Sequence, residues 1–232
     1  MSEIIEELLE RPIVGIDGFH TPGDMTLRNL RLLPEEESTA ASLSPERRLK
    51  FAAVRNCARQ GLHRLGIAPA PILRGPAGEP VWPSGIVGSM THCSGYHAAA
   101  VARSDEVAAI GIDAEVNRPL RYHEMFDLIT TREERAWIAD VESAYPDVSW
   151  ARLVFTAKES LFKAWFSITR RPLGLGQITV EVDPLSGEFH ARTSVPPGHG
   201  DDAFSNPWCG RWTARNGFLV AAVSMRRSVR TH

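Results

Sequence analysis

Two short segments far apart in the chain share one pattern, and this repetition restricts the folds that the sequence can adopt. Residues 95–101 and 217–223 both read glycine, an aromatic residue, two variable positions and then Ala-Ala-Val. Each copy follows a predicted helix and lies in a predicted β-hairpin. We therefore predict an α+β protein of two similar halves, residues 1–118 and 119–232, with the functional site in the cleft between them.

The helices predicted for the two halves have recognisable start signals. The first runs from Ser44 to about Leu65, because Ser-Pro-Glu supplies an N-cap, a proline suited to the first turn and an early acid that favours the helix dipole. In the second half, Thr131 and Glu134 form a capping-box pattern. A longer helix follows at about 149–168, where apolar residues recur at helical spacing.

Strand patterns occupy much of the remaining sequence. A polar turn separates the apolar runs 98–102 and 107–115, which predicts that these two strands pair as a hairpin. Asn216-Gly217 is a strong turn signal and predicts another hairpin near the C-terminus. Further elements are predicted at residues 4–9 (a short helix), 12–24 (a strand) and 178–183 (a strand).

The composition excludes several classes of protein. With 232 residues and 43% hydrophobic content, the chain can bury a sizeable core. A net charge of -2 lacks the basic excess of a typical nucleic-acid binder, and neither a signal peptide nor a membrane-spanning run is recognisable. The three cysteines are far apart and lack a Cys-x-x-Cys pattern, which favours buried thiols over disulfides or a zinc site. We expect a cytoplasmic monomer that binds neither nucleic acid nor membrane.

The predicted strand at 107–115 ends in two acids that are candidates for metal binding. Asp113 and Glu115 point to one face of a strand, whereas Ala114 points to the other. Two carboxylates on one face repel each other unless a cation lies between them. Mg²⁺ is commonly held by one or two carboxylates together with substrate phosphates. Taken alone, however, the run is more typical of a strand that ends in solvent.

Cationic residues in the first half suggest a second kind of site. The helix at 44–65 is rich in arginine, which indicates either a phosphate site or an ordinary solvated surface. Arg48 and Arg55 are seven residues apart and share one face of that helix. Arg74 precedes Gly75 in an irregular connection, where a guanidinium and bare backbone N–H groups can meet an anion. An arginine in such a turn is more often ordinary surface.

Three motifs occur in one order along the chain: Ser89-Met90-Thr91-His92, Gly111-Ile112-Asp113-Ala114-Glu115 and Phe155-Thr156-Ala157-Lys158-Glu159-Ser160-Leu161-Phe162-Lys163. Singly, His92 is typical of a structural histidine, and Glu159 with Lys163 is typical of a surface ion pair. Together, the motifs closely resemble the 4'-phosphopantetheinyl transferases of the Sfp type. The sequence around Trp82 and Tyr96 is most similar to that of the branch that contains EntD and PptT. The resemblance extends from Arg47 to Leu173.

The resemblance implies a function and a fold. Members of that family transfer the 4'-phosphopantetheine arm of coenzyme A to a serine of acyl, peptidyl or aryl carrier proteins. The reaction is expected to need Mg²⁺, with Mn²⁺ as a possible substitute, and to release adenosine 3',5'-bisphosphate. Apo carrier domains of fatty-acid, polyketide and nonribosomal-peptide synthases, including those of siderophore biosynthesis, are the expected partners. The fold is expected to be the family's pseudo-two-fold α+β arrangement.

The resemblance also assigns roles to individual residues. Asp113, Ala114, Glu115 and Glu159 are expected to form the metal site, and Asp113, Glu159 and Lys163 to be catalytic. Glu159 would be the general base for the carrier serine, directly or through a water molecule. Lys158 and Lys163 would stabilise charge on the phosphate, and Lys163 could protonate the departing nucleotide. The positions expected to contact coenzyme A are Arg47, Arg55, Arg74, Gly75, Pro76, Ala77, Thr91, His92, Asp113, Lys158, Glu159, Lys163 and Leu173.

Two details of the matched positions are open or unusual. The family branch spaces its two arginines eight residues apart, which selects Arg47 with Arg55, whereas the helical wheel selects Arg48. We therefore take Arg47 and keep Arg48 as an alternative. Phe162 stands where some relatives have tyrosine, so no catalytic hydroxyl is expected there.

Two other functions fit parts of the sequence. Clustered acids also occur in Mg²⁺-dependent nucleases and phosphohydrolases, but Asn117 stands where a restriction-type nuclease needs lysine after Glu115. A module that binds nucleotides or carrier domains without catalysis would keep the fold and lose the chemistry. The presence of Asp113, Glu159 and Lys163 argues against that alternative.

Overall fold

The computed structural model describes residues 4–20, 30–120, 123–195 and 208–227. These residues fall into two compact units, one within residues 1–110 and 225–232 and the other within residues 111–224. Helices and strands are mixed in both units, which confirms the predicted α+β class. The boundary near Arg118, the two-fold relation of the halves and the cleft between them stay predictions. In the described parts of the chain, no helix is long and apolar enough to cross a membrane.

The first unit is built on a three-stranded antiparallel sheet and one long helix. Strand β5 is central, with β1 on one side and β4 on the other. Helix α3 packs on this sheet, and a Cβ atom at Gly61 would lie only 2.6 Å from Val101 of β5. The elements are α1 (Ile4–Leu8), β1 (Val14–Phe19), α2 (Pro34–Ala40), α3 (Pro45–Arg64), β2 (Leu73–Arg74), β3 (Pro80–Val81), β4 (Ile86–Cys93) and β5 (Tyr96–Arg103).

The second unit is built on a five-stranded sheet and another long helix, α6. Its strand order is β6-β10-β9-β8-β7, and α6 packs against β7, β8 and β9. Trp150 at the start of α6 lies edge-on to Trp212 of β9, with ring centroids 5.4 Å apart. The elements that lie wholly or mostly in this unit are β6 (Val107–Val116), α4 (His123–Ile129), α5 (Arg132–Ala144), α6 (Trp150–Thr169), β7 (Ile178–Val182), β8 (Glu188–Thr193), β9 (Trp208–Arg215) and β10 (Phe218–Arg226).

The predictions of two helix starts, of the first strand and of the C-terminal hairpin are confirmed. Ser44 caps α3 by accepting a hydrogen bond from the backbone nitrogen of Arg47 at 3.4 Å. Both bonds of the predicted capping box are present at the start of α5. The predicted strand at 12–24 is found as β1, although its last four positions lie outside the described residues. The C-terminal hairpin turns at Asn216 and Gly217, which both have positive φ, as a tight hairpin turn requires.

The predicted hairpin between residues 98–102 and 107–115 is wrong. These runs belong to β5 and β6, but β5 is paired on both sides, with β1 and β4, whereas β6 pairs with β10. The physical reason is the shorter connection before β5. Only Ser94 and Gly95 separate β4 from β5, and Gly95 adopts a φ of 94°, so those two strands form the hairpin instead.

A buried acid organises each unit in the same way. In the first unit, Glu36 in the first turn of α2 accepts hydrogen bonds from Leu33 N, from Arg59 of α3 and from Ile72 N. This single carboxylate therefore joins a short helix, the following long helix and the chain after it. Glu36 is fully buried, so its charge depends on these partners.

Glu134 makes the equivalent set of bonds in the second unit. In the first turn of α5, its carboxylate accepts from Thr131 N, from Lys158 of α6 and from Val180 N of β7, each at 2.7 Å. The same three kinds of partner thus recur: the start of a short helix, a cation on the next long helix, and a backbone N–H of the following segment. This repetition agrees with the prediction of two similar halves.

Candidate active site

Strand β6 and helix α6 meet at Gly111, and this contact places the acidic end of the strand beside the helix. A Cβ atom at Gly111 would lie 1.8 Å from the carbonyl oxygen of Ser160 and 2.8 Å from the backbone nitrogen of Ala164. Only a residue without a side chain permits such an approach of two backbones. The glycine therefore sets the separation between Asp113 on the strand and Lys163 on the helix.

Lys163 binds the strand directly. Its Nζ donates to Asp113 Oδ1 at 2.7 Å and to the carbonyl oxygen of Ile112 at 2.9 Å. The Asp113 side chain is 10% exposed and that of Lys163 is 28% exposed, so solvent screens this pair less than a surface ion pair. The structure therefore brings the Gly-Ile-Asp-Ala-Glu motif and the Lys-Glu helix together.

Arg152 binds the second acid of the strand, and it was not predicted from the sequence. Its Nη1 donates to Glu115 Oε2 at 2.6 Å, and its Nε donates to the carbonyl oxygen of Arg118 at 2.6 Å. Arg152 precedes Glu159 by seven residues, or about two helical turns, so the two side chains share one face of α6. This spacing alone does not identify Glu115 as the partner of Arg152.

Glu159 is half-buried on α6 and is electrostatically coupled to both strand acids. Burial raises the pKa of Glu159, Asp113 raises this pKa further, Lys163 lowers it, and Glu115 also raises it. Likewise, burial and then Asp113 raise the pKa of Glu115, whereas Arg152 lowers that pKa. Three carboxylates thus share one small region of the second unit, where a cation would relieve their repulsion.

These residues suit a hard cation that substrate oxygens help to hold. Carboxylate oxygens are the ligands that Mg²⁺ prefers, and Mg²⁺ often uses one or two of them with phosphate oxygens and water. Within the described residues, no group of three or more His, Cys, Asp or Glu side chains is arranged to hold a metal by itself. The donor set therefore fits Mg²⁺ together with a phosphate ligand. Ala114 is buried on the opposite face of the strand, so only its backbone could contribute.

Lys158 lies in the interior of the second unit and not at its surface. It is fully buried, and its Nζ donates to Glu134 Oε2 at 2.7 Å and to the carbonyl oxygen of Ile129 at 2.6 Å. Its partner, Glu134, lies on another helix, so the sequence of α6 alone does not reveal this ion pair. This placement argues against the expected contact between Lys158 and coenzyme A.

We expect Lys158→Ala to destabilise the protein by about 3–5 kcal/mol, because it leaves the Glu134 carboxylate buried without its cation. Thermal unfolding of the variant measures this loss. A double variant, Lys158→Met with Glu134→Gln, removes both charges and should recover part of it. Equal stability of Lys158→Ala and the unmodified protein would contradict the structural role.

In the first unit, the structure distinguishes the two candidate arginines at the start of α3. Arg48 forms an ion pair with Glu37 at 2.5 Å. Arg47 is exposed, and its backbone nitrogen binds the Ser44 cap. This difference supports Arg47 over Arg48 as an anion contact.

Arg55 is buried and is held by its own unit. Its Nε donates to the carbonyl oxygen of Ile72 at 2.8 Å, and its guanidinium carbon lies 3.2 Å from the centroid of the Phe51 ring. Burial lowers the pKa of Arg55 to about 10; Glu36 opposes this change, while Arg59 and Arg74 add to it. The guanidinium therefore stays protonated at neutral pH and contributes positive charge near Arg74.

The turn after Arg74 differs from the expectation of bare N–H groups. Gly75 N donates to the carbonyl oxygen of Glu79 at 2.7 Å, and Ala77 N donates to the Glu79 carboxylate at 3.0 Å. Pro76 has no N–H to offer. Two of the expected donors are therefore bonded within the turn, and an anion that bound there would have to displace them.

The remaining predicted contacts lie on β4 and after α6. Thr91 is buried and His92 is exposed on successive positions of β4, so they point to opposite faces of the sheet. His92 lies directly opposite His97 of β5. Leu173, which follows α6, is buried.

The second unit also contains a cavity of about 620 Å³ beside α5. Its lining includes Asn117, Pro119, Phe126, Ile138 and Ser149. Asp113, Glu115 and Glu159 are not among the described residues that line it. The cavity is therefore lined by the segment that follows β6 and not by the three carboxylates.

Comparison with known proteins identifies relatives of both parts of the chain. Residues 35–102 match the 4'-phosphopantetheinyl transferase N-terminal domain, and residues 109–221 match the 4'-phosphopantetheinyl transferase superfamily. The chain is 45% identical over 198 residues to the 4'-phosphopantetheinyl transferase Svp of Streptomyces mobaraensis, covering 84% of this chain and 78% of that protein. It is 41% identical over 196 residues to the transferase PptT of Mycobacterium tuberculosis, covering 82% and 85%. It is 36% identical over 230 residues to the transferase Npt of Nocardia iowensis, covering 95% and 99%.

Proposed function

The chain belongs to the 4'-phosphopantetheinyl transferase superfamily and transfers phosphopantetheine from coenzyme A to carrier proteins, and we propose that Asp113, Glu115 and Glu159 activate this transfer with Mg²⁺. One observation carries the proposal: Lys163 of α6 binds Asp113 of β6 at 2.7 Å. That bond joins the two motifs whose residues are expected to perform the chemistry.

The metal would be held by Asp113, Glu115 and Glu159, with the coenzyme A pyrophosphate completing its ligands. When bound, Mg²⁺ or Mn²⁺ would supply positive charge that stabilises the phosphate in the transition state. The raised pKa values of Glu115 and Glu159 support this assignment, because Asp113 adds to both shifts and Glu115 adds to that of Glu159, and a bound cation would oppose this repulsion. Arg152 and Lys163 balance part of the charge without it.

Glu159 is the proposed general base. Burial is the largest cause of the raised pKa of Glu159, and it makes this carboxylate a stronger base for removal of the proton from a serine hydroxyl. The serine oxygen then forms a bond to the β-phosphorus of coenzyme A, and the bond from that phosphorus to the leaving-group oxygen breaks. Lys163 can stabilise the charge that develops on adenosine 3',5'-bisphosphate or protonate it, because its ammonium is held at Asp113.

Residues of the first unit are proposed to hold the nucleotide. Arg47 is exposed at the start of α3, and Arg55 and Arg74 contribute neighbouring positive charge. His92 is exposed on β4, where it can meet a phosphate. The other proposed contacts are Gly75, Pro76, Ala77 and Thr91 of the first unit and Leu173 of the second.

The proposed substrates are carrier domains of polyketide, nonribosomal-peptide and fatty-acid synthases, including those for siderophores. The protein is proposed to act in the cytoplasm as a monomer. Purified protein should be incubated with coenzyme A, Mg²⁺ and one apo carrier from each class. We expect the intact mass of at least one carrier to increase by one phosphopantetheine. Failure with every class, under conditions in which a related transferase modifies them, would contradict this assignment.

We expect Glu159→Gln to slow transfer by about 10²–10⁴-fold while coenzyme A binding persists, because the amide cannot accept the serine proton. The same variant should unfold at a higher temperature at neutral pH. The folded pKa of Glu159 is raised, so folding favours its protonated form, and stability falls as pH rises from the ordinary carboxyl pKa through the raised one. Glutamine does not ionise, so the variant lacks this loss of stability.

A matched control for Glu159→Gln is Glu181→Gln on β7, an exposed acid paired with Arg192. It should leave both transfer and unfolding temperature unchanged. If Glu159→Gln transferred phosphopantetheine at the normal rate, its assignment as base would be wrong.

A further inference from the structure

Arg152 is one of the most extensively bonded side chains of the second unit. Its side chain is 11% exposed, and each of its three guanidinium nitrogens donates to a different acceptor. Nη1 binds Glu115 Oε2 at 2.6 Å, Nε binds the Arg118 carbonyl oxygen at 2.6 Å, and Nη2 binds the Pro119 carbonyl oxygen at 3.1 Å. The rigid planar fork of arginine can satisfy such a set, whereas the single ammonium of lysine cannot.

The three bonds fix the end of β6 relative to α6. Two of them hold the backbone at Arg118 and Pro119, three and four residues after Glu115, and the third holds the Glu115 carboxylate. Asn117 strengthens the same segment, because its side chain donates to the Asp147 carbonyl oxygen at 2.7 Å and accepts from Ser149 N at 2.9 Å. Glu115 therefore has one carboxylate oxygen and its following backbone held in place.

The positive charge of Arg152 disfavours binding of a cation at Glu115. A guanidinium next to a carboxylate repels any divalent cation that approaches that carboxylate. If charge alone mattered, the residue would weaken cation binding at Glu115. Orientation is the other role that its bonds allow, because Arg152 holds Oε2 of Glu115 at 2.6 Å.

We propose that Arg152 is a positioning residue that orients Glu115 for the divalent cation of the transfer reaction. This inference rests on the proposed function, in which Glu115 is a metal ligand. Partners that orient metal ligands typically change metal affinity or activity by about 10- to 100-fold when they are replaced. Arg152→Lys keeps the positive charge and loses the fork, so it separates orientation from charge.

The test is binding of Mn²⁺ to the full chain in the presence of coenzyme A, followed by the paramagnetic signal of the ion. We expect Arg152→Lys and Arg152→Gln each to raise the Mn²⁺ dissociation constant by about tenfold or more. The concentration of Mg²⁺ that gives half-maximal transfer should rise in parallel. The rate at saturating Mg²⁺ should fall less than the affinity, because the acids themselves are intact.

Arg59→Lys in the first unit is the matched control. Arg59 also binds a carboxylate, Glu36, and a backbone carbonyl, that of Arg31, and its side chain is 12% exposed. Arg59→Lys should lower the unfolding temperature, because lysine lacks the planar fork of arginine. It should leave the Mn²⁺ dissociation constant within about twofold, because Arg59 orients no proposed metal ligand.

The outcomes separate the inference from the proposed function. If the unmodified protein does not bind Mn²⁺ with coenzyme A, the proposed metal site fails. If the unmodified protein binds Mn²⁺ and Arg152→Lys binds it equally well, the orienting role is overturned, and Arg152 contributes only charge or packing. Tighter binding by Arg152→Gln would also overturn it. Should Arg152→Lys not fold, Arg152→Gln gives the decisive comparison, and weaker binding supports the inference.

Discussion

Asp113→Asn is expected to lower kcat/KM for phosphopantetheine transfer by roughly a thousandfold, which corresponds to about 4 kcal/mol of lost transition-state stabilisation. An amide oxygen is a weaker ligand for a hard cation than a carboxylate oxygen, and the substitution also removes one negative charge. The fold should survive, because an asparagine oxygen can still accept a hydrogen bond from Lys163. Intact-mass measurement of an apo carrier during the reaction gives the rate.

Asp183→Asn is the matched control for Asp113→Asn. Asp183 is an exposed acid in the turn after β7, where its carboxylate accepts from Leu185 N and Ser186 N. The same chemical change at this position should leave transfer unaffected. A normal rate for Asp113→Asn, with both variants folded, would show that Asp113 is not needed for the chemistry.

Gly111→Ala is expected to disrupt the second unit and abolish transfer. The new methyl group would lie 1.8 Å from the Ser160 carbonyl oxygen, and both atoms belong to or adjoin backbone that cannot rotate away. Separating β6 from α6 would also break the bond between Asp113 and Lys163. We expect a loss of at least about 3 kcal/mol, at the upper end of the usual cost of overpacking. Unfolding temperature and transfer rate measure the two effects.

Gly66→Ala provides the comparison for Gly111→Ala. Gly66 has a φ of 72°, and a Cβ atom added there would meet no neighbouring atom of the described residues within 4 Å. Alanine at this position therefore meets backbone strain without a steric clash. Its cost should be only about 1–2 kcal/mol, with transfer retained. If Gly111→Ala were equally mild, the close approach of strand and helix would not be required for function.

The sequence predicted those features that depend on neighbouring residues. Ser44 and the Thr131–Glu134 capping box fix helix starts through bonds within a single turn, so their patterns are sufficient. Asp113 and Glu115 could be placed on one face because the alternation of a strand is also local. Assigning roles to them needed the motif on α6, to which the structure joins Asp113 through Lys163.

Features that depend on distant partners were not predictable in this way. The failed hairpin concerned β5 and β6, whose partners are chosen by the whole sheet rather than by the turn between them. Lys158 is a charged residue that is nevertheless buried, because it forms an ion pair with Glu134 on another helix. Arg152 was overlooked since its bond to Glu115 joins residues 37 positions apart. Each case requires a contact that no local pattern contains.

The metal dependence of the transfer itself tests the proposed site most directly. One apo carrier that the protein modifies should be incubated with coenzyme A and the full chain, once with Mg²⁺ and once with a chelator, and its intact mass recorded over time. We expect addition of one phosphopantetheine with Mg²⁺ and an unchanged carrier with the chelator. Equal modification in both reactions would contradict the proposal that Asp113, Glu115 and Glu159 act through a divalent cation.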